Sequence, residues 1–90
     1  MVIRVNDSWR ITSNATCWQV EARKSDRKDG SERWESLYYH AEFEGALLSV
    51  AEVRIRLIPD SATVDEIRAS LKEIKAECIT AAKVFQELSV

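Results

Sequence analysis

Apolar and polar residues alternate along the first forty positions and then change to a helical rhythm. "VIRV" at 2–5 has one apolar face, as a half-buried strand requires. "SWRIT" resumes the alternation after Asn6-Asp7, a turn signal, and "SNA" at 13–15 is a second one. "TCWQVEARK" then sets Trp18, Val20 and Ala22 on one face and Cys17, Gln19, Glu21 and Arg23 on the other. "SDRKDGSE" is a polar loop with Asp29-Gly30 at its tip, a dipeptide favoured in tight hairpins, and "RWESLYYH" is the return strand. Residues 1–40 therefore predict an antiparallel β-meander of three or four strands.

From Glu42 the spacing lengthens. Phe43, Ala46, Leu47, Val50, Val53 and Leu57 recur every three or four residues, which predicts a helix over residues 41–58 that ends at Pro59-Asp60. Glu42 and Glu44 fall in its first turn, where the helix dipole favours negative charge. "TVDE" at 63–66 is a capping box for a second helix. Behind it Val64, Leu71, Cys78 and Phe85 repeat every seventh residue, and Ile67, Ile74, Ala81 and Leu88 repeat three residues later. This is the a/d seam of a heptad pattern. The expected fold is α+β: one domain over residues 1–90, a meander followed by two helices, the C-terminal one long.

An unbroken helix over residues 63–88 would be about 39 Å long. A compact globule of this size has a radius of gyration of roughly 12 Å and a diameter of about 31 Å. Such a helix overshoots a sphere, and past Cys78 its apolar set widens to Ile79, Ala82 and Val84. A projecting apolar end needs a kink near Thr80 or cover from another chain. A helix lying across its own sheet is the plainer alternative. The pattern favours a homodimer about a two-fold axis, with Cys78, Ala81, Ala82, Phe85 and Leu88 at the interface.

Composition narrows the chemistry. The chain is 46% hydrophobic and 31% charged, with two glycines and one proline, which suits an ordered globule with long regular elements. Residues 1–40 carry a net charge of +1 and residues 41–90 a net charge of −3, far from the excess of a general nucleic-acid binder. Cys17 and Cys78 match neither a zinc spacing nor a Cys-x-x-Cys pair and read as reduced thiols. No signal peptide or membrane span is expected, so the protein is placed in the cytoplasm and its two Asn-x-Ser/Thr sites are read as chance. No glycine-rich phosphate loop, paired-carboxylate signature or nucleophile elbow occurs, so neither an enzyme nor a cofactor or metal is expected.

Two groups of residues remain as candidates. His40, the single histidine, would need a nucleophile or an orienting carboxylate. Tyr38, Glu42 and Glu44 stand nearby and Cys17 could approach across the sheet, yet none has a recognisable spacing; the plainer reading is that His40 ends the strand. Trp34 and Tyr38, flanked by Arg23, Lys24, Arg33, Arg27 and Lys28, could form a stacking platform for single-stranded nucleic acid or a partner surface. Against the platform, residues 21–35 interleave equal numbers of acids and bases. Nucleic acid is thus the lesser expectation.

Taken together, "CWQVEARK…GSERWESLYYHAEFEGALLSVAEVRIR" resembles a recurrent class of small proteins encoded by bacteriophages and prophages. The resemblance, over residues 17–80, rests on Trp18 and Val20, Arg23 and Lys24, Trp34, Tyr38 and Tyr39, Ala46 and Leu47, and Glu52 with Arg54. Ala41 stands where members often carry a Ser or Thr helix cap. The resemblance carries no assigned chemistry. It implies a phage accessory role in the bacterial host, exerted by binding host machinery such as a host or defence protein.

Overall fold

Each alternating segment becomes a strand. The computed structural model describes residues 1–88. It places β1 at Val2–Arg4, β2 at Trp9–Ser13, β3 at Trp18–Lys24 and β4 at Arg33–His40. They form one antiparallel sheet in chain order. Asparagine recurs at the first two turns because its side chain satisfies turn amides. Asn6 Oδ1 accepts from the amides of Ser8 (2.7 Å) and Trp9 (2.9 Å), and Asn14 Oδ1 accepts from those of Thr16 and Cys17. In the third loop Asp29 accepts from the amide and hydroxyl of Ser31, while Gly30 takes a φ of 86° that a side chain would strain.

The register of β4 holds one irregularity. Val20 pairs with Tyr38 but Glu21 pairs with Ser36, so Leu37 is an extra residue, a β-bulge. Alternation alone does not reveal it.

The helices are α1 (Phe43–Arg56) and α2 (Val64–Leu88). α1 begins after Glu42, whose side chain makes no capping bond, and ends ahead of Pro59. The Thr63 half of the capping box is in place: the Glu66 amide donates to Thr63 Oγ1 at 3.2 Å. Thr63→Ala is expected to lower the unfolding free energy by about 0.5–2 kcal/mol, read from the urea midpoint; an unchanged midpoint would show the cap to be idle.

Both helices cover one face of the sheet. The paired row Ile3, Ile11 and Val20 is buried, and with Val5 it packs against Phe43, Ala46, Val50 and Ala81. α1 crosses β3 and β4, and α2 reaches β1. Phe85 stacks on Phe43 with ring centroids 4.1 Å apart, and Trp18 meets both rings edge-on.

The long helix is unbroken; Thr80 stays within it, its hydroxyl donating to the Ala76 carbonyl at 3.0 Å. It does not overshoot at its carboxyl end as the spherical argument implies. The molecule is a slab of 42 × 37 × 19 Å, and a helix of 25 residues, about 38 Å, fits along it. Two of the expected interface residues are therefore corrected. Ala81 is fully buried beneath its own sheet, and Phe85, half-buried, packs against that core through Phe43 and Trp18, so both are engaged within this chain. Cys78 and Ala82 are half-buried, and Leu88 is exposed. The less covered end of α2 is its first ten residues, which include no buried side chain and leave Val64, Ile67 and Leu71 69%, 37% and 42% exposed.

Candidate functional site

The bulge at Leu37 decides what the sheet can present. Without it, Trp34 and Tyr38, four apart, would share a face. With it, Trp34 pairs with Arg23 on the face away from the helices, while Tyr38 pairs with Val20 on the helix side. The aromatic platform expected from Trp34 with Tyr38 is thus divided between two faces. Tyr39, not Tyr38, shares the face of Trp34.

The face that holds Trp34 is also occupied. The Arg10 guanidinium stacks over the Trp34 ring at 4.2 Å and Arg4 lies at 5.5 Å. Trp34 Nε1 donates to Glu32 at 3.0 Å, and Arg4 donates to the same carboxylate at 2.9 Å. These bonds hold the Glu32 carboxyl below its usual pKa, the indole contributing most. Arg10 is bound to Glu21 at 2.7 Å, Arg23 to Asp26 at 2.9 Å and Lys24 to Glu35 at 3.3 Å. The Asp26 hydrogen bond raises the Arg23 pKa above its ordinary value. Arg33 is exposed opposite Lys24. A phosphate chain would have to compete with these carboxylates for Arg23 and Lys24.

His40 has a partner that spacing did not single out. Ser49 Oγ lies 2.6 Å from His40 Nε2, joining the end of β4 to the middle of α1. Gly45 allows the approach: a Cβ there would stand 3.2 Å from His40 Nδ1. A hydroxyl against an imidazole is the first pair of a nucleophile arrangement. Here the ring fills the joint between strand and helix, and no carboxylate among the described residues bonds its other nitrogen. Tyr38, Glu42, Glu44 and Cys17 do not enter this pair.

A concavity lies on the helical layer and is lined by α1 and α2 alone. A groove of about 390 Å³ runs between the helices, lined by Leu47, Ala51 and Ile55 of α1 and Leu71, Ile74, Lys75, Cys78, Ile79 and Ala82 of α2. Lys75 is its one charged lining residue. Leu48, beside it on α1, is 71% exposed. Burial pushes the Cys78 thiol pKa up, which keeps it protonated and a poor nucleophile at neutral pH. Among the described residues no cluster of His, Cys, Asp or Glu could hold a metal ion, and no helix is long and apolar enough to cross a membrane.

A half-buried network ties α2 in place. Glu77 pairs with Arg54 of α1 and accepts from Asn6 Nδ2 at 3.2 Å. Arg54 and Arg56, two apart, diverge as the helix turn requires; Arg56 pairs with Glu52 in solvent. Glu77→Ala strands the shielded Arg54 guanidinium and is expected to cost about 1.5–3 kcal/mol, whereas Glu52→Ala should cost less than about 1 kcal/mol. Urea denaturation compares the two; equal losses would deny the network a structural role.

Comparison with protein-family models, curated proteins and solved structures finds no match to this chain.

Proposed function

We propose that the chain is a non-enzymatic accessory protein of phage or prophage origin. It acts in the bacterial cytoplasm as a homodimer that binds another macromolecule, a host or defence protein. The observation that carries this reading is the open apolar groove between α1 and α2, with Leu48, Ile55, Leu71 and Ile79 exposed around it. A contiguous aliphatic surface on a small protein marks an interaction site. Its lining is aliphatic apart from Lys75 and the protonated thiol of Cys78, and the Ser49–His40 pair serves as a joint at another place. The dimer leaves the outer sheet face, with Trp34 and Arg23, and the sheet end at Lys24 and Arg33, whose side chains point to the other face, to the second partner. Single-stranded nucleic acid is the weaker reading, because Trp34 is stacked under Arg10 and both Arg23 and Lys24 are paired with carboxylates.

Sedimentation equilibrium at micromolar concentration tests the dimer. The expected mass is twice 10.3 kDa; a clean monomer at that concentration overturns the reading. Titration of a labelled single strand at low salt is expected to show no binding, and a salt-dependent complex would put the nucleic-acid reading ahead of this one.

A further inference from the structure

We infer that two copies meet through their helical layers, α1 of each lying over α2 of the other. In this arrangement the stripe Glu44–Leu48–Glu52 faces the partner's stripe Lys75–Ile79–Lys83. The inference rests on the dimer reading above and names its surface.

Area is the first argument. A folded monomer of this mass exposes roughly 5,400 Å². This chain exposes 6297 Å², a surplus of roughly 900 Å² over that expectation. Each partner in a standard stable interface covers about 800 Å². The excess surface is thus of the size one such interface removes.

Charge and spacing are the second. Glu44, Leu48 and Glu52 follow one another at steps of four along α1, so they form one stripe. Lys75, Ile79 and Lys83 do the same along α2. All six are exposed, and each stripe has an aliphatic residue between two like charges. The charges are opposite between the stripes. A two-fold axis running parallel to the helices, between the two layers, sets α1 over the partner's α2 on both sides at once. Leu48 and Ile79 are then covered, and acids oppose bases along both contacts. An axis perpendicular to the helices would lay α1 on α1 and bring the glutamates together, which like-charge repulsion opposes.

A charge-exchange experiment tests the arrangement. One variant carries Glu44→Lys and Glu52→Lys; the other carries Lys75→Glu and Lys83→Glu. Each alone brings like charges together at both contacts and is expected to raise the dimer dissociation constant at least tenfold. Mixed in equal amounts, they have opposite charges at both contacts again and are expected to form a heterodimer. Circular dichroism is expected to match the wild type, since all four positions are exposed. As a control, Tyr39→Lys on the outer sheet face is expected to leave the dimer intact. If the wild type is monomeric, the dimer reading fails and this one with it. If the wild type is dimeric but either variant still dimerises alone, or the mixture does not pair, the helical surface is wrong while the dimer stands.

Discussion

Replacing Phe43 with alanine is expected to lower the unfolding free energy by about 3–5 kcal/mol. Phe43 opens α1 and is buried where sheet, α1 and α2 meet. Its ring stacks on Phe85 and takes the edge of Trp18 at 5.4 Å. Truncation removes the transfer free energy of a large ring and leaves a hole bordered by two other aromatics. Neither can turn to fill it without giving up its own contacts. The native state of a chain this short is worth roughly 5–13 kcal/mol in total, so the variant should melt far below the wild type. A urea midpoint close to the wild type would show that the cluster is dispensable. Phe85→Glu is expected to unfold the chain for the same reason, rather than yield the soluble monomer that an interface position would give.

Ile74→Ala is the second large effect, at about 2–5 kcal/mol. Ile74 is buried, forms part of the groove lining and lies on α2 where it packs towards α1. Val64 belongs to the same heptad seam but is exposed at the start of α2. Val64→Ala should change stability by no more than about 0.5 kcal/mol. The pair is informative because the seven-residue repeat treats the two positions alike. Chemical denaturation of both variants under dilute conditions separates them; comparable losses would mean that the first turns of α2 are as well covered as its middle.

The strands, turns and helix starts were legible because each follows a local rule. Alternation marked the first three strand segments, the hairpin tip at Asp29-Gly30 implied the return strand, asparagine marked two turns, and "TVDE" marked the start of α2. What was not legible depends on contacts between distant residues. The heptad repeat says which residues of α2 share a face, not which part of that face finds cover. It therefore placed the bare apolar end at Phe85 and Leu88, whereas Phe85 is held by Phe43 and the poorly covered stretch is Val64 to Leu71. The bulge at Leu37 adds one residue without disturbing composition, yet it moves Tyr38 to the opposite face from Trp34. The Ser49–His40 pair spans a strand end and a helix, where no spacing rule operates. The expected sphere failed because a single sheet with one layer of helices is flat.

The first strand depends on the last helix. Ile3 and Val5 share their core with Ala81, and Asn6 bonds to Glu77, 71 positions further along. During synthesis on a ribosome, β2 to β4 and α1 can assemble from neighbouring segments as they emerge. β1 cannot be covered until α2 has been made and released from the exit tunnel. Until then the nascent chain displays the apolar face at β1, with Ile3 and Val5, uncovered, and that interval is when chaperones, or aggregation, would compete for it.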